Sequence, residues 1–144
     1  MSIKTAFENA IRKRNERGWS HIYVFVDIHQ TILYPSYGKN KEKKFYIDAK
    51  ETLQLLSKID NIVLGLYTRS YPEDIAEYLD FFEDRDIHFE LVNENSMEKS
   101  NKYGDFSKKP YYNVLIDDNA GFNAEEDWGE LYQYILYGYL TKHV

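Results

Sequence analysis

The fold of this chain is decided by one apolar stretch, HIYVFVD, which spans residues 21–27 and ends at Asp27. A short, continuous run of apolar and β-branched residues is typical of a strand buried on both faces, as in the middle of a parallel sheet. The carboxyl ends of such strands open into the crevice where parallel sheets bind ligands. We therefore expect Asp27 to lie in a site, with an ordinary turn after the strand as the alternative interpretation.

Three more apolar runs, at residues 61–67, 88–92 and 112–116, predict further buried strands. Amphipathic patterns predict a helix within residues 1–18, and further helices near residues 48–58, 70–82 and 128–139. Alternating strands and helices predict an α/β fold: one Rossmann-like domain over residues 1–144, with a mainly parallel sheet and helices on both faces. Residues 34–47 are turn-rich and basic, and are predicted to form a loop or flap beside the site.

Two helix starts carry capping patterns. Asp48 followed by Glu51 is a plausible capping pair. Ser70 precedes Pro72 and is followed three residues later by Glu73, which predicts a capping box with Ser70 as the N-cap.

Composition excludes several classes of function. The chain has 144 residues, a formal net charge of −6 and no cysteine. The acidic balance argues against general nucleic-acid binding, and the lack of cysteine excludes disulfides, thiolate zinc sites and cysteine nucleophiles. Nothing near Met1 resembles a signal peptide and no apolar stretch approaches membrane-spanning length, so we expect a soluble cytoplasmic protein with no membrane partner.

Polar residues follow three of the predicted strands. Asp27 ends the first, Thr68 and Ser70 follow the second, and the pair Asp117 and Asp118 ends the last. Strand ends in a parallel sheet share one edge, so these side chains should converge on one crevice. Carboxylates suit Mg²⁺, and hydroxyls and N–H groups at a helix start suit a phosphate, although a capped turn and a plain helix entry are the alternatives.

Four motifs together resemble the haloacid dehalogenase-like phosphohydrolase superfamily. They are DIHQT at 27–31, LYTRS at 66–70, KKP at 108–110 and LIDD at 115–118. The family signature runs Asp-x-Asp-x-Thr after a strand, then Thr or Ser after a second strand, a Lys, and two acidic residues after the last strand. The match covers about residues 22–128. Residues 91–95 and 112–118 with Trp128 also resemble small uncharacterised bacterial and phage members, and LIDD is similar to that of the superfamily's deoxyribonucleotidases.

The resemblance implies a Mg²⁺-dependent phosphohydrolase acting on phosphomonoesters, with nucleotides as one candidate class, in which Asp27 attacks phosphorus and forms an aspartyl phosphate. Mg²⁺ would be held by Asp27, the backbone carbonyl of His29 and Asp117. Asp118 would be a ligand through water or a partner for lysine. Thr68 would hold the phosphoryl oxygens.

The resemblance also implies a lysine that neutralises charge on the nucleophile and the phosphoryl group. Lys109 is favoured over Lys108, but Lys99 and Lys102 lie in the same loop, so the choice stays open. The remaining substrate-binding residues would be Thr31, Arg69, Ser70 and Lys108.

One position departs from the family pattern. Superfamily phosphatases carry a second Asp in the first motif as general acid and base, and here that position is His29. Imidazole transfers protons near neutral pH, so His29 can substitute for the carboxylate. The alternative is a turn residue in a catalytically weakened scaffold that acts as a phosphate- or protein-binding module.

The chain has no room for a substantial cap domain. Residues 33–48 are too few for one, and residues 70–108 are used by a predicted helix and strand. We therefore expect an open site. Open members act on large substrates or use an oligomeric partner to close the pocket, so the substrate can be a small phosphorylated molecule, a nucleotide or something larger.

Overall fold

The computed structural model describes residues 2–35, 42–101, 104–106 and 109–138. The first helix, α1, spans Ile3–Arg17. The Ser2 hydroxyl oxygen caps it by accepting a hydrogen bond from the Thr5 N–H. Gly18 ends it in the left-handed region at φ 70°, where glycine has no side chain to strain.

The other elements follow in alternating order. The helices are α2 at Ala49–Ser57, α3 at Pro72–Glu83 and α4 at Asp127–Leu136, with a 3₁₀ turn at Asp118–Ala120. The strands are β1 at Ile22–Val26, β2 at Ile62–Leu66, β3 at Leu91–Val92, β4 at Ser100–Asn101, β5 at Gly104–Asp105 and β6 at Val114–Ile116. Within the described ranges, no helix is both long enough and apolar enough to cross a membrane.

The main sheet has the order β3-β2-β1-β6, and its three strand pairs are parallel. In the register, Val26 at the end of β1 is level with Leu66 of β2 and Ile116 of β6. Four helices flank this sheet, and the residues that the structure describes include no obvious cap domain, which confirms the predicted α/β fold. Strands β4 and β5 form a separate antiparallel pair inside the segment predicted as a polar loop.

Alternation along β1 divides the core into two clusters, because successive side chains in a strand point to opposite faces. Val24 belongs to a large cluster that includes buried residues of all four helices. Phe25 belongs to a smaller cluster with Leu91 of β3. Phe25 also lies across Gly65 of β2, where an added Cβ would come within 2.6 Å of the ring. A side chain at position 65 would therefore force the Phe25 ring or the sheet to shift.

Of the two predicted helix caps, Asp48 occupies the N-cap position of α2, but Ser70 is not the N-cap of α3. Asp48 lies in the left-handed region at φ 66° and its side chain makes no capping hydrogen bond. Helix α3 begins at Pro72 with Tyr71 as its N-cap, and the Ser70 hydroxyl instead lies 3.0 Å from the Thr68 hydroxyl. The Ser70 cap was predicted from local spacing, and a turn contact with Thr68 has taken precedence over it.

The flap predicted at 34–47 is described at its two ends, and residues 36–41 lie outside the described residues. The Tyr34 N–H donates to the Lys44 carbonyl at 2.9 Å. The Tyr34 and Tyr46 rings stack with their centroids 3.9 Å apart. These contacts close the base of the segment on itself beside the end of β1.

Candidate active site

The carboxyl ends of β1, β2 and β6 surround a cleft of about 870 Å³ at one edge of the sheet. The parallel register places the residues after these strands at the same level, which is why they meet. Most of the predicted site residues line this cleft: Asp27, His29, Thr68, Arg69, Ser70, Lys109 and Asp117. Residues that sequence reasoning did not single out line it too, namely Tyr67, Asn93, Pro110, Leu115, Asn119 and Ala120.

Three carboxylates gather beyond the ends of β1 and β6, and two of them, Asp27 and Asp117, line the cleft. Asp27, Asp117 and Asp118 each offer one oxygen, and these oxygens all lie within 4.8 Å of one another. Asp117 is buried, while Asp27 and Asp118 are partly exposed. Oxygen ligands of this kind are those that Mg²⁺ takes in proteins, usually with waters and substrate phosphate completing the shell.

Burial and nearby negative charge raise the pKa values of Asp27 and Asp117. Burial, followed by repulsion from Asp117, raises the pKa of Asp27 to about 7. Burial also raises the pKa of Asp117, with Asp118 adding to the effect. A cation among the three groups would offset both the desolvation and the repulsion. The donor set therefore fits a divalent metal ion.

Thr31 lies behind the carboxylates and not in the cleft. It is 0 % exposed, and its hydroxyl donates to Asp27 Oδ2 at 3.3 Å. The Thr31 hydroxyl oxygen accepts from the Asp118 N–H at 3.1 Å, and the Thr31 carbonyl accepts from Trp128 Nε1 at 2.7 Å. The structure thus gives Thr31 a positioning role for the two acidic strand ends, in place of the predicted contact with substrate.

The predicted phosphate-binding turn after β2 is held by an asparagine. The Thr68 N–H donates to Asn93 Oδ1 at 2.8 Å, and the Ser70 N–H donates to the Thr68 hydroxyl at 3.2 Å. Asn93 adopts φ 56°, a left-handed conformation that asparagine tolerates better than most residues. The sequence signal that could have identified Asn93 is an asparagine directly after a predicted strand. Arg69 is exposed on the lining of the cleft.

Only one of the candidate lysines is described on the cleft wall. Lys109 is exposed and lines the cleft. Lys108 and Lys102 lie outside the described residues, and the described Lys99 is not part of the lining. The preference for Lys109 over Lys108 therefore stays a prediction.

His29, the departure from the family pattern, is on the cleft wall and contacts α3. Its Nε2 lies 2.8 Å from the hydroxyl oxygen of Tyr78, and the two rings meet edge to face with centroids 5.5 Å apart. The amphipathic pattern near residues 70–82 predicts a helix that contains Tyr78. The pattern does not indicate that the Tyr78 hydroxyl would contact residue 29.

Comparison with known proteins supports the fold alone. No protein-family model matches this chain, and no curated protein does. A solved structure described as a conserved protein coded by a locus from Bacteroides thetaiotaomicron is similar, with a TM-score of 0.59 and 24% sequence identity. The similarity covers 81% of this chain and 91% of that one. At this identity it shows a shared fold.

Proposed function

We propose that this protein is a Mg²⁺-dependent phosphohydrolase that cleaves phosphomonoesters, nucleotides among them, through an aspartyl phosphate on Asp27. The observation that carries the proposal is the meeting of Asp27 and Asp117 in the same cleft as Thr68 and Lys109, with an Asp118 oxygen within 4.8 Å of theirs. The order of the four sequence motifs supports the same reading. The partner implied is a phosphorylated substrate.

The charge balance of the cleft supports a metal requirement. A phosphate dianion would be repelled by three carboxylates, with Arg69 and Lys109 as the cations on the described lining. Asp27, Asp117 and Asp118 would hold the metal, together with the His29 carbonyl implied by the family resemblance. When bound, Mg²⁺ would supply the positive charge that allows an anionic substrate to approach an anionic nucleophile.

The protein groups then divide the reaction into two displacements. The Asp27 carboxylate attacks phosphorus, and the bond from phosphorus to the leaving-group oxygen breaks. Water next attacks the aspartyl phosphate, which releases inorganic phosphate and restores Asp27. Thr31 keeps the nucleophile oriented through its hydrogen bond to Oδ2, and Lys109 and the Thr68 hydroxyl would bind the phosphoryl oxygens.

His29 would carry the proton in both displacements. Its imidazole would protonate the leaving-group oxygen in the first step and accept a proton from water in the second. Its position on the cleft wall supports this role. The histidine at position 29, where the family pattern has aspartate, also supports a second candidate function. In that alternative the protein is a phosphate- or protein-binding module that binds its ligand without hydrolysing it.

A panel of phosphomonoesters assayed with Mg²⁺ tests the proposal, with Asp27→Asn as the blank. We expect phosphate release from the parent and none above background from the variant. Asp60→Asn, which removes an exposed carboxylate outside the cleft, is the matched control and should retain activity. Equal phosphate release by the parent and Asp27→Asn would exclude a phosphohydrolase that uses Asp27 as its nucleophile. Metal-dependent binding of inorganic phosphate without turnover would favour the binding module.

Exchanges at His29 separate the two roles of that residue. If His29 is the acid, His29→Ala should slow the hydrolysis of alkyl phosphates by about 10²-fold or more. It should slow aryl phosphates much less, because a good leaving group needs little protonation. Unchanged rates on both substrates would make His29 a structural turn residue.

A further inference from the structure

We infer that Tyr78 is a positioning residue that holds the His29 ring for proton transfer, an inference that rests on the proposed function. The Tyr78 hydroxyl lies 2.8 Å from His29 Nε2. The edge-to-face ring contact, with centroids 5.5 Å apart, fixes the tilt of the imidazole as well as its distance. The cleft lining includes His29 but not Tyr78, so Tyr78 would act through the imidazole and not on the substrate itself.

Lys43, in the segment before α2, and Glu77 of α3 help to hold the Tyr78 side chain in place. Lys43 Nζ forms an ion pair with Glu77 at 2.7 Å and lies 5.8 Å from the centroid of the Tyr78 ring. Tyr78 is itself partly buried. Its hydroxyl oxygen can accept a hydrogen bond from an imidazole N–H.

This property suits the task that His29 would perform. A single imidazole must give a proton to the leaving-group oxygen as the bond to phosphorus breaks, and then take one from the attacking water. The nitrogen that exchanges this proton, which would be Nδ1, therefore changes between donor and acceptor during one cycle, while Nε2 keeps its proton. The Tyr78 hydroxyl oxygen can accept from the Nε2 N–H in both states, which leaves Nδ1 free to give and take the proton. Tyr78 gains and loses no proton overall.

The substitution at position 29 makes this support necessary. A carboxylate at the end of a short side chain is symmetric, and either oxygen can serve. An imidazole is larger and its two nitrogens are distinct, so its orientation decides whether a proton reaches the substrate. Tyr78 is 49 residues away in sequence and supplies that orientation through the packing of α3.

The test is a double-mutant cycle on turnover. Tyr78→Phe keeps the ring and removes the hydroxyl, and Tyr71→Phe at the N-cap of the same helix, where the side chain is 72% exposed, is the matched control. We expect Tyr78→Phe to lower kcat for alkyl phosphates about tenfold, the rate equivalent of one hydrogen bond, with KM little changed and aryl phosphates little affected. In a His29→Ala background, Tyr78→Phe should have no further effect.

The outcomes distinguish this inference from the proposed function. If Asp27→Asn abolishes phosphate release but Tyr78→Phe changes nothing, the inference is overturned while the phosphohydrolase stands. Equal losses on alkyl and aryl substrates, or losses that add in the double variant, would also overturn it, because they describe a residue that only supports the fold. Release that does not depend on Asp27 contradicts the proposed function itself.

One measurement on the parent protein remains informative even if Tyr78→Phe does not fold. ¹⁵N NMR of the His29 ring should show one dominant neutral tautomer, because the hydrogen bond to Tyr78 makes the two nitrogens unequal. The exposed His88 ring, whose contact is with the Glu83 carboxylate, serves as an internal reference in the same spectrum. A His29 ring that averages between tautomers as free imidazole does would overturn the inference.

Discussion

Replacing Asp27 with asparagine should stabilise the metal-free protein at neutral and alkaline pH, although it removes the proposed nucleophile. The change takes away one of three carboxylates whose oxygens lie within 4.8 Å of one another. Asparagine is nearly the same size and keeps an oxygen that can accept the hydrogen bond from Thr31. The variant therefore removes charge while leaving most of the packing intact.

The direction and size of the effect follow from the pKa of Asp27, which burial and then Asp117 raise from 3.8 to about 7. Between these values the folded protein binds a proton that the unfolded chain has released, so its unfolding free energy falls as pH rises. The full difference would be about 4 kcal/mol at about 1.36 kcal/mol per pH unit. Asp27 is only partly buried, and screening by solvent reduces the expected value to about 2 kcal/mol.

Urea unfolding in EDTA measures this difference. The stability of Asp27→Asn relative to the parent should grow by about 2 kcal/mol between pH 4 and pH 8, with most of the change before about pH 7. Asp60→Asn, which removes an exposed carboxylate elsewhere, sets the baseline for losing one acidic group. Saturating Mg²⁺ should stabilise the parent more than the variant, which would reduce the difference in unfolding free energy between them.

Two results would refute this reasoning. A difference between Asp27→Asn and the parent that stays constant from pH 4 to pH 8 would mean that Asp27 ionises as an ordinary carboxyl group. A variant less stable than the parent at pH 8 in EDTA would mean that hydrogen bonds to the charged form of Asp27 outweigh its burial and its repulsion by Asp117.

Three further predictions test the metal assignment and the packing around the site. Mg²⁺ should stabilise the parent by about 2.7 kcal/mol at a hundredfold excess over Kd, and beryllofluoride should raise Tm only with Mg²⁺ present; an undiminished response in Asp117→Asn would contradict the metal assignment. Gly65→Ala places a Cβ within 2.6 Å of the Phe25 ring and should lower the unfolding free energy by about 1–3 kcal/mol, whereas an unchanged urea midpoint would show that the ring moves freely. Trp128→Phe leaves the Thr31 carbonyl without its 2.7 Å donor and should cost about 1–3 kcal/mol with lower kcat, and parent-like stability would show that this bond is dispensable.

Much of the fold and part of the site follow from local sequence. The apolar run ending at Asp27 predicts a central strand, and β1 lies between β2 and β6. Parallel strands end at one edge, so a strand-end Asp27, Thr68 and Asp117 were expected to converge, and all three line one cleft. Hydrophobic periodicity and strand-end polarity involve neighbouring residues, which is why they can be read without a structure.

The contacts between those convergent residues were decided only by tertiary structure. The sequence placed Thr31 near substrate, but its hydroxyl instead joins Asp27 to the Asp118 N–H behind the cleft. It placed Ser70 at a helix cap, but the Ser70 hydroxyl pairs with Thr68. Each outcome depends on which partner a side chain meets after the strands have packed, and a polar group adopts the best buried hydrogen bond within reach.

The contact between His29 and Tyr78 is the clearest feature that only the tertiary structure decided. The sequence by itself determined that position 29 carries an imidazole at the end of the central strand and that Tyr78 belongs to an amphipathic helix. That the two side chains meet at 2.8 Å depends on how α3 lies against the end of the sheet. Helix placement is set by the sum of many apolar contacts distributed over the whole core, and no local pattern contains that sum.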